Sequence, residues 1–261
     1  MRSRAPVQSS SMTCAHSRNC SPTTTRRKAD LSESVMPADP KDTTLILIPA
    51  YNAESHLTEL IRRVRAHLDN QHLLIVNDGS TDRTADLLEE LSVRYLSFPH
   101  NRGKGAALHA GFRYAIDHGY RSVLTMDADL QHLPEELPKF LSRENGRCLL
   151  LGTRTIDRSA MPLPRQLSNN LTSLIVSIFS TQRIRDSQSG FRLIPAALLR
   201  ATRLTASRYD FESQLLFQAG VLRVPVEEVP ITTVYDGAPS HISPLADIGR
   251  FIRQVWRRIW L

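Results

Sequence analysis

Two carboxylates, two residues apart, follow an apolar run in the middle of the chain. Asp127 and Asp129 stand in the segment SVLTMDADLQH. Because ionised carboxylates are costly to bury without a positive partner, they must meet a metal, an arginine or solvent beyond the end of a strand. Mg²⁺ and Mn²⁺ prefer oxygen ligands and often bridge protein carboxylates to substrate phosphates. The segment therefore indicates a divalent metal site that Gln131 and His132 could assist, although a D-x-D spacing is also common by chance.

Two other polar segments carry groups that could bind a nucleotide. In NDGS, Asp78 could accept hydrogen bonds from a nucleobase, or it could cap the helix that we expect to begin near Thr81. In NRGKG, Lys104 stands between two glycines that let the backbone approach a ligand, and it is one of only four lysines among 33 basic residues. Either segment alone is also compatible with an ordinary solvated loop.

These segments lie at the ends of predicted strands. Continuous apolar runs predict buried strands, and helical spacing of apolar residues follows most of them. The strands are expected in TTLILIPA (43–50), HLLIVND (72–78), RYLSFP, RSVLTMD and CLLLGTR (148–154). The alternation predicts an α/β fold with a mostly parallel central sheet flanked by helices. In such sheets ligands bind beyond the carboxyl ends of the strands, so PAYNAE, NDGS and DADLQH are expected to meet in one crevice.

The second half of the chain is less regular. LSNNLTSLIVSIFSTQ and FESQLLFQAG predict helices, RDSQSGFRLIPAALL predicts a turn and then a short helix, and VLRVPVEEVPITTVY predicts strands. Two acidic residues of this half, Asp186 and Glu212, are candidates for catalysis. Glu212 is equally well placed to be a charge at a helix N-terminus beside the helix dipole.

The net positive charge is concentrated at the two ends of the chain. The formal net charge is +7, with seven Lys/Arg and four Asp/Glu in residues 1–42, four and one in residues 247–261, and 22 and 21 between them. A nucleic-acid-binding fold more often carries a basic stripe across its folded body, so no nucleic-acid partner is expected. Three scattered cysteines indicate neither a disulfide framework nor a zinc site, which favours a reducing, cytoplasmic compartment.

The composition divides the chain into three expected regions. Residues 1–42 form a basic Ser/Thr-rich tail that has too few large apolar residues to fold; it could be a transit peptide, or translation could start at Met36 and leave the tail dispensable. Residues 43–244 form the α/β domain. Residues 245–261 form a basic amphipathic helix with tryptophans, which could lie on an anionic membrane surface or pack against the domain. No run of eighteen apolar residues occurs, so membrane contact is expected to be peripheral.

The order of the motifs resembles that of the family 2 glycosyltransferases. PAYNAE, NDGSTDRT, NRGKGAALHAGF, MDADLQH, GTR and DSQSGFRL are most similar to the polyprenyl-phosphate (dolichol-phosphate mannose synthase-like) branch, from about Leu45 to Asp247. The resemblance implies a GT-A fold for residues 43–244 and inverting, Mg²⁺- or Mn²⁺-assisted transfer of a sugar. The sugar would pass from a nucleotide-sugar donor to a lipid-linked (polyprenyl) phosphate, with the enzyme peripheral at the inner face of the membrane.

The resemblance also implies roles on the donor side. Pro49, Tyr51, Glu54 and Asp78 would surround the base and ribose of the donor, and Lys104 would lie near the nucleotide.

Further implied roles concern the reacting groups. Asp127 and Asp129 would hold the metal on the diphosphate, with Gln131 assisting. Arg154 and Arg192 would neutralise phosphate charge on the donor or acceptor. These groups would stabilise the negative charge that develops on the departing nucleoside diphosphate.

The acceptor and the catalytic base stay open at this stage. An attacking alcohol needs a general base, whereas a phosphate is already an anionic nucleophile. The resemblance places Asp186 in the site, but the acidic pair that often marks the base in this family is replaced by Phe211-Glu212, which favours a phosphate acceptor. The alternatives are transfer to another lipid or hydrophobic alcohol, a sugar nucleotidyltransferase, and a non-catalytic nucleotide-sugar-binding protein. For a nucleotidyltransferase, the expected Gly-rich basic stretch near the first strand is replaced by PAYNAE.

Overall fold

The structure is a computed structural model that describes residues 43–154, 173–178, 180–202 and 210–234. The expected N-terminal tail (1–42) and C-terminal amphipathic helix (245–261) lie outside the described residues. Within the described residues, no helix is both long enough and apolar enough to cross a lipid bilayer.

Seven strands of the described residues form a single sheet. They are β1 (Thr44–Ala50), β2 (Leu73–Asn77), β3 (Tyr95–Ser97), β4 (Ser122–Thr125), β5 (Leu149–Arg154), β6 (Arg192–Pro195) and β7 (Val226–Ile231). Their order across the sheet is β3-β2-β1-β4-β6-β5-β7. Strand β1 is parallel to β2 and β4, β3 is parallel to β2, and β5 is parallel to β7. Only β6 runs antiparallel to its neighbours, β4 and β5. The predicted α/β fold with a mostly parallel sheet is confirmed.

Strand β1 lacks polar alternation because both of its faces are buried. Leu45 and Leu47 pack into one apolar cluster, and Ile46 and Ile48 pack into a second cluster on the opposite face. All four side chains are fully buried. Since burying one such side chain stabilises the fold by about 1.5–3 kcal/mol, β1 anchors both layers of the core.

Helices cover both faces of the sheet. Those whose bounds lie within the described residues are α1 (Glu54–Val64), α2 (Thr84–Glu90), α3 (Lys104–Asp117), α4 (Leu137–Leu141), α5 (Ala196–Ala201) and α6 (Asp210–Val221). Helix α1 packs Leu57 and Ile61 into the cluster of Ile46, whereas α3 and α6 pack into the cluster of Leu45. The rings of Phe112 on α3 and Phe211 on α6 stack with their centroids 5.5 Å apart, which joins these two helices.

Strand β6 is the strand that sequence patterns did not predict. The short helix expected in RDSQSGFRLIPAALL is confirmed as α5, but RLIP before it forms a strand instead of part of a turn. Four residues ending in proline carry no recognisable periodicity, and they are extended because β4 and β5 flank them on both sides. The pairing of Arg192 with Thr125 brings the DSQSG turn beside the end of β4.

Candidate active site

A cleft of about 710 Å³ lies at the carboxyl ends of β1, β2 and β4. Its walls come from the PAYNAE, NDGS, NRGKG and DADL segments, as expected from the geometry of a parallel sheet. The predicted site residues that line it are Pro49, Tyr51, Asp78, Lys104, Asp127 and Asp129. His56 and Arg102 also line the cleft and were not singled out from the sequence.

Asp78 holds the NRGKG loop in place. Its buried carboxylate accepts the backbone N–H of Arg102 through Oδ1 and that of Gly103 through Oδ2, both at 2.8 Å. The suggestion that Asp78 caps the helix following it is wrong, because Asp82 accepts the N–H of Thr84 at 3.0 Å at the start of that helix. Asp78 instead supports the start of α3, which is distant in the chain and adjacent in space.

The loops that follow β1 and β2 are bonded to each other. The N–H of Asn52 donates to Oγ of Ser80 at 2.9 Å, and the N–H of Thr81 donates to Oδ1 of Asn52 at 2.8 Å. Glu54, expected near the base and ribose, instead accepts the N–H of Arg83 at 2.8 Å before α2. Its carboxylate therefore joins these loops and does not line the cleft.

Gly79 allows the NDGS and NRGKG segments to come into contact. Its φ of +67° is in the left-handed region, and a Cβ there would lie 2.3 Å from the carbonyl carbon of His100. Any side chain at this position would push the Lys104 loop away from the cleft wall.

Lys104 joins the two halves of the site. Its Nζ lies 2.7 Å from Oδ1 of Asp127 and 2.9 Å from Oε1 of Glu212. Burial disfavours the charged ammonium, but attraction by Asp127 and Glu212 outweighs that cost and raises the pKa of Lys104 above its ordinary value. Burial likewise opposes ionisation of Asp127, yet the positive charges of Lys104, His132 and Arg154 bring the pKa of Asp127 down to about 2. Lys104 and Asp127 are therefore both charged at neutral pH.

Asp129 lies at the exposed side of the cleft. Its Oδ1 accepts the backbone N–H of Gln131 at 3.0 Å. Partial burial raises the pKa of Asp129, and repulsion by the negative charge of Asp127 raises it further. His132 is buried behind this turn and stacks on Phe191, with Nδ1 3.8 Å from Oδ2 of Asp127. Burial lowers the pKa of His132.

Arg192 lies inside the fold, although it was expected to neutralise phosphate charge. The residue is 2% exposed, and its guanidinium donates to the carbonyl oxygens of Ser187, Ser189 and Glu212 at 2.7, 2.7 and 2.6 Å. Burial lowers its pKa, but an arginine stays charged under these conditions. The side chain thus joins the DSQSG turn to the first turn of α6, and it does not line the 710 Å³ cleft.

Asp186 and Arg154 form a bidentate ion pair at the end of β5. Nε and Nη2 of Arg154 donate to the two carboxylate oxygens of Asp186 at 2.6 and 2.8 Å. Asp186 is 2% exposed. Both residues were predicted to act on substrate, and the structure pairs them with each other at the start of the DSQSG turn, where Asp186 is the first residue.

Gly190 is a site residue that sequence reasoning missed. A Cβ on Gly190 would lie 2.6 Å from Oδ2 of Asp127, and its carbonyl accepts the hydroxyl of Thr125 at 2.8 Å. Only glycine lets the DSQSG turn lie this close to the carboxylate. In the sequence, Gly190 is visible only as a glycine in a short polar turn. Nothing in the sequence connects that turn to Asp127.

The donor atoms of the DAD segment fit a divalent cation. Asp127 and Asp129 supply the carboxylate oxygens that Mg²⁺ and Mn²⁺ prefer, and Oδ1 of Asp127 already faces a positive charge, the ammonium of Lys104 at 2.7 Å. Among the described residues, no group of three or more His, Cys, Asp or Glu could enclose a metal. The remaining ligands of a cation at this site would thus be substrate oxygens and water.

Comparison with known proteins agrees with these motifs. Residues 45–203 match the family described as Glycosyl transferase family 2. The undecaprenyl-phosphate mannosyltransferase of Micrococcus luteus is 33% identical over 201 residues, which cover 73% of this chain and 83% of that protein. The UDP-N-acetylglucosamine–dolichyl-phosphate N-acetylglucosaminyltransferase of Methanococcus voltae is 28% identical over 214 residues, covering 73% and 85% of the two chains.

A solved structure shares the fold. Glucosyl-3-phosphoglycerate synthase from Mycobacterium tuberculosis, determined with Mn²⁺, UDP and glucosyl-3-phosphoglycerate, superposes with a TM-score of 0.61 at 21% identity. The superposition covers 82% of this chain and 77% of that one. The predicted GT-A fold is confirmed by this likeness.

Proposed function

Because the chain belongs to glycosyl transferase family 2, we propose that it transfers a sugar, with inversion, from a nucleotide-sugar donor to a polyprenyl phosphate. The chain is a glycosyltransferase, which sets aside the nucleotidyltransferase and the non-catalytic binding protein. Two relatives are named for transfer to undecaprenyl or dolichyl phosphate. The two relatives are named for transfer of different sugars, mannose and N-acetylglucosamine.

The observation that carries the phosphate acceptor is that both candidate bases form ion pairs with basic side chains. The two carboxylate oxygens of Asp186 accept hydrogen bonds from Arg154, and Oε1 of Glu212 forms an ion pair with the ammonium of Lys104. A hydroxyl acceptor would need a carboxylate able to take its proton, whereas a phosphate attacks as an anion. A phosphate acceptor is therefore the one that these residues serve best.

The donor would lie along the 710 Å³ cleft. Tyr51 is 49% exposed there, and its ring offers a face for a base. Each carboxylate oxygen of Asp78 has a second lone pair besides the one used by the NRGKG backbone, so Asp78 could still accept from the base. Arg102 and Lys104 are the arginine and lysine side chains among the cleft-lining residues, and they would face the diphosphate.

Asp127 and Asp129 would hold Mg²⁺ or Mn²⁺ at the diphosphate end of the cleft. Such a cation, when bound, stabilises the negative charge of the departing nucleoside diphosphate. The cleft residues add to this effect, because Arg102 and Lys104 supply fixed positive charge on the same wall. Arg192 would contribute indirectly, by holding the DSQSG turn against Asp127.

Peripheral association with the membrane that contains the lipid acceptor, at its inner face, is part of the proposal. It is supported by the lipid-linked acceptors for which the relatives are named. The basic amphipathic segment at residues 245–261 is the proposed contact.

The test is a transfer assay with defined acceptors. Purified chain is incubated with labelled nucleotide sugars, Mn²⁺ or Mg²⁺, and a short-chain polyprenyl phosphate or the matching polyprenol. We expect an acid-labile sugar phosphodiester from the phosphate, whose anomeric configuration by NMR is opposite to that of the donor. Transfer to the polyprenol in preference to the phosphate would contradict the proposed acceptor, and retention of configuration would contradict the single displacement.

A further inference from the structure

Lys104 pairs with Asp127, a carboxylate that is also a proposed metal ligand. Its ammonium lies 2.7 Å from Oδ1 of Asp127 and 2.9 Å from Oε1 of Glu212, so two carboxylates share one positive charge. Building on the metal-assisted donor binding proposed above, we propose that Lys104 competes with the metal for Asp127 and moves to Glu212 when the metal–nucleotide complex binds. In this scheme Glu212 is a positioning residue that receives the displaced ammonium.

The backbone at Lys104 is held while its side chain can move. Lys104 is the first residue of α3, and Asp78 fixes the preceding Arg102 and Gly103 through their N–H groups. Four rotatable bonds separate the ammonium from this anchored backbone. With a quarter of the side chain exposed, the ammonium can exchange partners within the site.

Glu212 has an unused acceptor for the displaced ammonium. Its Oε2 is buried and makes no hydrogen bond with the described residues. The backbone of Glu212 is fixed, because Nη1 of Arg192 donates to its carbonyl oxygen at 2.6 Å. A cavity of about 10 Å³ lies between Lys104, Asp127, Glu212 and Arg192, which gives space for a small shift of the ammonium. Since a buried carboxylate oxygen gains from a charged donor, the move toward Glu212 is favourable.

Competition has a consequence for the order of binding. A divalent cation that arrives alone must displace Lys104 from Asp127 without gaining phosphate ligands. A cation that arrives with the diphosphate gains those ligands, and Lys104 gains the diphosphate as a further anionic neighbour. The structure therefore predicts weak binding of the metal alone and strong positive coupling between the metal and the nucleotide.

The experiment measures Mn²⁺ binding without any sugar transfer. Free Mn²⁺ is followed by electron paramagnetic resonance for the full chain, first with MnCl₂ alone and then with UDP or GDP present. Lys104→Met is expected to bind Mn²⁺ alone on the order of tenfold more tightly than the unaltered chain, because Asp127 and Glu212 lose their counter-charge. Glu212→Gln is expected to bind Mn²⁺ alone more weakly, because the displaced ammonium loses its alternative partner.

Two matched variants show whether removing a charge outside the cleft also changes Mn²⁺ binding. Lys139→Met and Glu135→Gln alter side chains that pair with Glu136 and Arg63, away from the cleft, and should leave Mn²⁺ binding unchanged. Opposite shifts in Lys104→Met and Glu212→Gln, together with weaker metal–nucleotide coupling in Lys104→Met, would support the proposal. Misfolding would weaken binding in both variants and cannot imitate tighter binding in one of them.

Different outcomes would overturn the competition at Lys104 and the proposed function. If the unaltered chain binds Mn²⁺ with UDP or GDP but Lys104→Met binds Mn²⁺ alone no more tightly, the competition is overturned and the proposed function stands. If the unaltered chain binds neither nucleotide together with Mn²⁺ or Mg²⁺, both the metal-assisted function and the competition are overturned.

Discussion

Nζ of Lys104 lies 2.9 Å from Oε1 of Glu212, although Lys104 opens α3 in the first half of the chain and Glu212 lies in the first turn of α6 in the second half. This contact connects the donor-side cleft to the helix that follows the DSQSG turn. Because Lys104 contacts both Asp127 and Glu212, the proposed competition would couple metal, nucleotide and helix α6 through this one side chain.

Replacing Asp129 should abolish transfer while leaving the fold intact. Asp129 is exposed, so Asp129→Asn should change the free energy of unfolding by no more than about 0.5 kcal/mol. Loss of a carboxylate that holds the metal should lower kcat by about 10²-fold or more. Transfer kinetics and urea unfolding measure the two effects, and the exposed Asp117→Asn on α3 is the control. Full activity of Asp129→Asn would contradict the metal role.

Removing positive charge from the cleft should weaken donor binding. Arg102→Met removes the arginine from the cleft-lining residues and leaves Lys104 as their lysine. Losing a charge-assisted contact to the diphosphate should cost about 1.5–3 kcal/mol of nucleotide affinity. Titration with UDP and GDP in the presence of Mn²⁺ measures this loss of affinity. The variant Arg113→Met, at a highly exposed position on α3, should bind these nucleotides normally. Unchanged affinity in Arg102→Met would place the diphosphate elsewhere.

Adding one methyl group at Gly190 should disturb the Asp127 carboxylate. The Cβ of Gly190→Ala would lie 2.6 Å from Oδ2 of Asp127, so the turn or the carboxylate must shift. We expect a loss of about 1–3 kcal/mol in stability together with weaker Mn²⁺ binding in the presence of nucleotide.

Gly119→Ala separates backbone strain from this steric effect. Gly119 has a φ of +76° with no atom within 4 Å of its added Cβ. Its replacement should cost stability through strain and leave Mn²⁺ binding unchanged. Equal effects of the two variants on Mn²⁺ binding would contradict the contact between Gly190 and Asp127.

Acid should remove the stabilisation contributed by the ion pair of Asp127. Its pKa is lowered from 3.8 to about 2 in the folded state, so the folded carboxylate binds fewer protons than the unfolded one. This contribution is complete above the unfolded pKa and is lost as the pH falls from about 4 toward 2. It amounts to about 2 kcal/mol at neutral pH.

Urea unfolding of the unaltered chain and of Asp127→Asn across this pH range measures the contribution. The difference in the free energy of unfolding should be about 2 kcal/mol at pH 6 and should shrink as the pH approaches 2. A difference that stays constant with pH would show that protonation of Asp127 is not its source.

Arg192 should behave as a residue of the fold and not as a phosphate ligand. Its guanidinium serves three backbone carbonyls, and the single ammonium of Arg192→Lys cannot reach them all. Leaving buried carbonyls unpaired should cost about 2–4 kcal/mol of stability. Thermal and urea unfolding measure this cost, with Arg185→Lys, an exposed member of a pair with Glu228, as the control. If Arg192→Lys has normal stability but binds the acceptor weakly, Arg192 would be a phosphate ligand, as expected from the sequence.

The sequence by itself determined the class of fold and the fact that the motifs lie close together at one edge of the sheet. Strand β1 is apolar on both faces, and this pattern is visible in eight consecutive residues without knowledge of any partner. Because the carboxyl ends of parallel strands share one edge, the segments around Tyr51, Asp78 and Asp127 had to converge once the sheet was predicted. The order of the motifs was sufficient to indicate the family.

Only the tertiary structure decided which side chains pair within the site. Strand β6 is too short to carry a periodic signal, and it is extended because β4 and β5 lie on either side of it. Its position sends Arg192 into the interior and sets Gly190 against Asp127. Charged residues far apart in sequence, such as Lys104 and Glu212, have no local pattern that links them, because their separation in space depends on the order of strands and on helix packing.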